Sequence, residues 1–329
     1  MAQLLKVHGS QNQFFILDQT KLKTKLTQPE LVALTKQITD PTKGLLDGAD
    51  GVLVIDHSDH PGALGSMEVI NTDGSIASMC GNGLRTVARY LSDKYQQDTF
   101  KVETLDSDLS VHREAELAAG VPTFSVEISP VSFDKASLPF DHLGGDTLID
   151  KEAPAFAQEL KFTAIAVPNP HLISFVSSEV LHSNLLGRLG KQLNQPNQYF
   201  PDGVNVSFAQ ILDHNQLFVR TYERGVGFTN ACGTGMSATS LAFCLNYPQT
   251  ADFEKPISVY NPGGMVKTRV HDDNRTYHID LIGNATFTHQ ITIPDADLHV
   301  HQLHRAKIKA TGEQRNYLNF VNQLKQQEV

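Results

Sequence analysis

The chain has little that would mark a membrane, nucleic-acid or disulfide-stapled protein. Its longest apolar stretches, such as "GVLVI" and "LAFCL", fall far short of the roughly 20 residues a membrane helix needs. The N-terminus "MAQLLKVHGSQNQ" lacks the apolar core of a signal peptide. Positive charge is scarce: 27 Lys and Arg against 36 Asp and Glu leave a net charge of −9. That balance gives no electrostatic reason to expect nucleic acid or an anionic membrane as a partner. Only three cysteines are present, none in a CxxC pair, which argues against a disulfide framework and against a zinc finger. A reducing cytoplasm is the expected setting. There is no GxxxxGK[ST] phosphate loop, and "GNGLRT" breaks the GxGxxG pattern at its last position, so a dinucleotide reading is weak. No cofactor is expected.

At about 100–200 residues per domain, 329 residues suggest two domains or one large one, and 40% hydrophobic content is ordinary for a chain with a real core. Strand-like runs dominate, from "FFILD" and "GVLVID" near the start to "ISVYN" and "YHIDLIG" near the end. Most are β-branched or aromatic and bounded by Gly, Pro, Asn or Asp. Fewer helices are predicted. Thr27 and Glu30 bracket Pro29 as a capping box. A single helix fits 177–193, and a last one carries Tyr317, Phe320, Val321 and Leu324 at helical spacing.

Two further helices begin just behind cysteines. After Cys80 come Leu84, Val87, Ala88 and Leu91, and after Cys232 come Met236, Thr239, Ser240 and Phe243, at the same offsets. The same punctuation, Cys-Gly-polar-Gly and then a helix, thus occurs twice, 152 positions apart. This predicts an internal duplication: an α/β (α+β) fold of two similar lobes. The junction is expected near 129–139, where Pro and Ser interrupt the strand pattern. Residues 1–131 would form the N-terminal lobe with the Cys80 turn, with a strand near 284–293 returning to it. Residues 132–283 would form the C-terminal lobe with the Cys232 turn. Residues 294–329 would be a partly helical C-terminal extension, its amphipathic end packed on the body or on a partner subunit.

A helix start exposes unpaired N–H groups and carries partial positive charge, and glycines let that backbone approach an anion closely. A thiol there is expected to have a lowered pKa. Two such turns, facing each other across a cleft between lobes, would offer two bases and two anion-binding helix ends. Stereoinversion at one carbon needs that equipment: one thiolate removes the α-proton, and the opposite thiol returns a proton to the other face. The plainer alternative is that each cysteine is a buried small hydrophobe. Cys244, inside the second helix, fits that alternative, whereas the repeated glycine flanks set Cys80 and Cys232 apart. "DHSDH" (56–60) and "HVHQLH" (299–304) gather His and Asp without a firm ligand spacing and read as solvated segments, so no metal site is expected.

"NTDGSIASMCGNGLR" and "YERGVGFTNACGTG" resemble the two signature segments of the diaminopimelate epimerase family. "VHGSQNQFFILD", "PNPH", "DGVN" and "NPGG" fall in that family's order around them, over roughly residues 3–293. The resemblance implies lobes in which a mostly antiparallel mixed sheet wraps around a central helix. It implies Cys80 and Cys232 as the acid/base pair of a cofactor-independent epimerase converting LL-2,6-diaminopimelate to the meso form, for lysine and peptidoglycan precursors. Gly81, Asn82, Gly233 and Thr234 would offer backbone amides to the reacting carboxylate. Asn12 and Glu223 would hold the ammonium at the reacting carbon. Asn71, Asn169, Asn205 and Arg224 would grip the distal end, and His171 would sit beside the thiols and tune them. Each has a plainer alternative: Asn71 capping its own turn, Glu223 and Arg224 as a surface pair, His171 as a satisfied core histidine.

Three features depart from the family pattern. Gln11 and Gln13 replace the second Gly and the Asp of H-G-x-G-N-D, Phe228 stands where Glu is usual, and the chain continues past about residue 293. The partner implied is a small-molecule substrate, with a homodimer as the usual assembly. The rival activities are a racemase of another amino acid, such as histidine, and a non-catalytic amino-acid-binding protein.

Overall fold

The computed structural model of the chain describes residues 1–77 and 79–326. The end of the expected extension, 327–329, lies outside the described residues. Residues 1–126 and 283–323 cluster as one compact unit, and 127–282 as another. The changeover thus falls after Val126, a little before the segment expected from sequence, and the described extension as far as 323 belongs with the first unit.

The first unit runs through β1 (Ala2–Gly9), β2 (Asn12–Asp18), α1 (Gln28–Ile38), β3 (Gly51–Asp56), β4 (Ala63–Asn71), β5 (Ile76–Ala77), α2 (Gly81–Tyr95), β6 (Thr99–Glu103), β7 (Asp108–Glu114) and β8 (Thr123–Ile128). Pairing along this sheet is antiparallel for β1–β2, parallel for β2–β3, antiparallel for β3–β4, parallel for β4–β6, then antiparallel for β6–β7 and β7–β8.

The second unit contains β9 (Lys151–Glu152), β10 (Lys161–Ala166), β11 (Pro170–Phe175), α3 (Ser178–His182), α4 (Leu185–Leu193), β12 (Asn205–Asp213), β13 (Gln216–Glu223), β14 (Gly227–Phe228), α5 (Gly233–Asn246), β15 (Pro256–Asn261), β16 (Gly264–Asp273) and β17 (Thr276–Asn284). From β10 onward the pairing repeats the same order: antiparallel, parallel, antiparallel, parallel, antiparallel, antiparallel. The fold is therefore α+β with two similar lobes. The chain then returns to the first unit through β18 (Thr286–Ile293), which pairs with β1, followed by α6 (Asp295–His299), β19 (Lys307–Ala310) and α7 (Glu313–Gln326).

Each sheet is covered on both faces, so its central strands read as continuous apolar runs. In the first unit α2 packs on β1, β2, β3, β4 and β7. Leu31, Leu34 and Ile38 of α1 join Phe15, Leu17, Val52 and Val54 in a separate cluster. In the second unit α5 packs on β10, β11, β12, β13, β15 and β16. Leu181, Leu186, Leu189 and Leu193 of α3 and α4 pack with Phe162, Val206 and Phe208. A helix enclosed as fully as α5 must satisfy its own hydroxyls. Ser237, Thr239 and Ser240 donate to the carbonyls of Gly233, Gly235 and Met236 at 3.0, 2.7 and 2.9 Å.

The expected single helix over 177–193 is two. Ser183 adopts an extended conformation, its N–H and hydroxyl both turn to Val180 O, and its Oγ accepts from Leu185 N–H. The serine side chain thus competes for the bonds that would continue the first helix and helps to start the second.

Candidate active site

In the first unit the β1–β2 hairpin brings Asn12 to the Cys80 turn. Gly9 pairs with Asn12, with Ser10 and Gln11 at the tip. Asn12 Nδ2 donates to Asp50 Oδ2 at 2.7 Å, which fixes the amide and aims its Oδ1 at Cys80 Sγ (3.7 Å) and Asn82 Nδ2 (3.4 Å). Cys80 is the N-cap of α2, in extended conformation, and its Sγ accepts from Gly83 N–H. The helix begins with Leu84 N–H donating to Cys80 O. The amides of Gly81 and Asn82, ahead of it, have no carbonyl to meet inside the helix. Asn71 ends β4, opposite Gly51, and donates through Nδ2 to Ser75 Oγ at 3.0 Å within its own turn.

Sequence reasoning did not single out Arg85, although it lies in the quoted cysteine segment. Its side chain is wholly buried, between positions where a Cβ on Gly9 or Gly283 would fall 2.9 Å from the guanidinium. Nε donates to Asn284 O, and Nη2 to Ser10 Oγ and Asn82 Oδ1. Burial pulls its pKa down to about 10, against the opposing influence of Tyr317 and Cys80. A buried cation near a thiol favours the thiolate. The only signal in the sequence was an arginine at a helix position one turn past the thiol, in a region otherwise reading as core.

In the second unit the register sets His171 beside Asn205, at one end of parallel β11 and β12, with β13 ending next to them. Asn205 donates to Pro170 O at 3.0 Å and accepts from Arg224 N–H at 2.8 Å, so its amide ties the three strand ends together. His171 is fully buried, with Nε2 3.1 Å from Asn169 Oδ1 and Nδ1 without a hydrogen-bond partner among the described residues. Burial, then the Arg224 charge, pushes its pKa down to about 3, so the ring is neutral. Arg224 is exposed, with Nη1 on Asp202 O at 2.9 Å.

Cys232 is the N-cap of α5 and is 5% exposed. Its Sγ lies 3.6 Å from Thr234 Oγ1. The expected lowering of its pKa is overturned. Burial first, then the Glu223 carboxylate, push the thiol well above its ordinary value, and hydrogen bonds from Thr234 and the Gly235 amide only partly oppose them. The helix end does not win because the sulfur has lost its water and faces a negative charge. Cys232 is thus a thiol held protonated. Replacing Glu223 with Gln should move that pKa back toward the ordinary value, while burial keeps it above. The pH dependence of Cys232 alkylation by iodoacetamide, followed by peptide mass spectrometry, measures the shift. Glu223 itself accepts from Thr229 Oγ1. Phe228 is exposed, edge-on to Tyr222 at 5.4 Å and under the Arg220 guanidinium at 5.3 Å.

The structure thus groups Asn12, Cys80 and Asn82 in one unit, and Asn169, His171, Asn205 and Arg224 in the other, where Glu223 also adjoins Cys232. Gly81 takes its place in the first turn of α2, and Gly233 and Thr234 in that of α5. Cys244 is buried, and burial raises its pKa to about 12, as befits a core residue. In the histidine-rich stretches His60 hydrogen-bonds with Asp108 and His299 with Glu30, each at 2.8 Å. Among the described residues no helix is long and apolar enough to cross a membrane.

The profile of the diaminopimelate epimerase family matches residues 4–123 and 163–288. The diaminopimelate epimerase of Lactiplantibacillus plantarum is 52% identical over 326 residues, covering 98% of each chain. That of Ligilactobacillus salivarius is 52% identical over 324 residues, covering 98% of this chain and 99% of its own. Among solved structures, a phenazine biosynthesis protein of the PhzF family from Bacillus anthracis superposes with a TM-score of 0.62 at 14% identity. It covers 88% of this chain and 97% of its own, a likeness of fold. With the profile spanning both cysteine turns and the relatives matching nearly end to end, the chain belongs to the diaminopimelate epimerase family.

Proposed function

We infer that the protein is an isomerase that interconverts LL-2,6-diaminopimelate and meso-diaminopimelate by a two-base mechanism at the α-carbon. The observation that carries this reading is the pair of cysteine N-caps, one on the central helix of each lobe, in a chain of this family. Cys80, with the buried Arg85 cation behind it, is the base that removes the LL α-proton. Cys232, held protonated by burial and Glu223, is the acid that delivers a proton to the opposite face. For the reverse reaction the roles exchange. The amides of Gly81, Asn82, Gly233 and Thr234 stabilise the carboxylate as negative charge develops next to it. Asn12 and Glu223 receive the α-ammonium, and Arg224 takes the distal carboxylate through its planar fork. Asn71 and Asn169 complete the distal grip. Asn205 sets Arg224 through the backbone bond, and His171, neutral and buried, shapes the wall they share.

Relatives bearing the diaminopimelate epimerase name at 45–52% identity favour diaminopimelate over histidine or another amino acid. The reaction uses only side chains and backbone amides, and we place it in the cytoplasm, where free thiols persist. A homodimer is the assembly the family resemblance suggests, which sedimentation would measure. The test is solvent deuterium uptake at the α-carbons of LL- and meso-diaminopimelate by purified protein with no cofactor added. Rapid uptake with both isomers is expected. Binding without exchange would instead identify an amino-acid-binding protein.

A further inference from the structure

The hairpin tip that presents Asn12 has an unusual backbone. Ser10 and Gln11, its two central residues, have φ of +53° and +67°. Hairpin turns of two residues favour this left-handed geometry, but glycine, asparagine or aspartate normally supply it. Here two other residues hold it, so bonds from outside the turn must fix it. Ser10 N–H donates to Asn284 Oδ1 at 2.8 Å, and Gln11 N–H donates to His8 Nδ1 at 3.2 Å. The second bond exists only while the His8 ring is neutral with its proton on Nε2. That proton faces Gln314 Oε1 at 2.7 Å.

We propose that Gln314, in the C-terminal helix, is a positioning residue for the active site, acting through the His8 tautomer to hold the Ser10–Gln11 turn and so to set Asn12 beside Cys80. The inference deepens the epimerase reading and rests on it for its activity arm alone. Helix α7 is fixed to the same unit. Glu313 grips Arg89 with two bonds, at 2.6 and 2.8 Å, Asn316 Nδ2 reaches Gly120 O at 3.3 Å, and Tyr317 packs edge-on to His8 at 4.7 Å. The family profile ends at 288, so the brace comes from a segment the profile does not cover.

The charged and titratable groups facing His8 are Arg85 from α2 and Glu313 and Tyr317 from α7, while Asn284 adds a neutral amide at Nδ1. Burial, offset by the Gln314 bond and reinforced by Arg85, brings its pKa down to about 4. The ring is neutral at working pH, as the turn requires.

Gln314→Glu is nearly isosteric and tests this directly. A carboxylate there favours the imidazolium, which protonates Nδ1 and removes the acceptor for Gln11. The acid limb of kcat/KM should move to higher pH, with a loss of roughly 3- to 30-fold at a mildly acidic pH where the parent protein is still active. The iodoacetamide rate at Cys80, read on its own peptide, should change over the same pH range. Gln11→Gly needs no help to hold a positive φ. Added to Gln314→Glu, it should restore both readouts to within about 2-fold of the Gln11→Gly single variant. Gln314→Ala, with the same rescue, serves as the second variant, and thermal unfolding reports the folding of each. A Gln314→Glu profile that superimposes on the parent's, or a loss that Gln11→Gly leaves in place, overturns the proposal. The thiol rate reads the brace even if diaminopimelate is not turned over, so the two readings fail separately.

Discussion

Replacing Cys80 or Cys232 with alanine is expected to slow conversion of LL- to meso-diaminopimelate by at least about 10³-fold. Proton transfer by one positioned group contributes about 10²–10⁴, and groups acting as a unit lose nearly everything when either is removed. Epimerisation needs both thiols, so each single variant should lose it equally, and the double variant should be little worse. Neither change threatens the fold much. Cys80 and Cys232 are both helix N-caps, and the bond that the Cys80 sulfur accepts from Gly83 N–H is long, at 3.4 Å. Circular dichroism and thermal unfolding should therefore stay close to the parent while formation of the meso isomer, followed by chiral chromatography, disappears. Cys244→Ala supplies the control: it removes a buried sulfur from the core of α5, and full exchange should persist.

Gly9→Ala is expected to cost about 1–3 kcal/mol of stability and about 10²-fold in kcat/KM. A Cβ at Gly9 would lie 2.6 Å from Asn82 O and 2.9 Å from Arg85 Nη2. The first is backbone in the opening turn of α2, two residues past Cys80, so it cannot swing aside as a flexible side chain would. Relief requires the hairpin or the helix start to shift, and either shift separates Asn12 from Cys80. Denaturant unfolding and steady-state kinetics on the same preparation read the two losses together. Parent-like kinetics would show that the site does not depend on this close approach.

The duplicated architecture was visible in the sequence because it rests on strong local signals. The two cysteine-glycine turns begin helices, the β-branched runs are strands, and Glu30 accepts from Thr27 N–H at 2.7 Å, as the capping box requires. Strands such as β7 and β16 escaped notice because their polar residues, among them His112 and His271, dilute the apolar signal. What could not be read was how buried groups balance one another. The high pKa of Cys232 depends on its burial and on Glu223, nine residues away in sequence. Nothing local marked Arg85 as wholly buried, because Gly9, Gly283 and Asn284 reach it from far along the chain. His8 meets Gln314 across 306 positions of chain. The break at Ser183 turned on a hydroxyl choosing Val180 O, a competition that hydrophobic periodicity does not register.

The most direct test of the two-thiol account is isotopic. LL-diaminopimelate with ordinary hydrogen at its α-carbons is incubated with the protein in deuterium oxide and stopped after a few per cent conversion. The account predicts that the newly inverted carbon of the meso product carries deuterium, because the arriving proton comes from a thiol that never held the departing one. Product that retains the substrate's own hydrogen at that carbon would mean a single group serves both faces, and would contradict it.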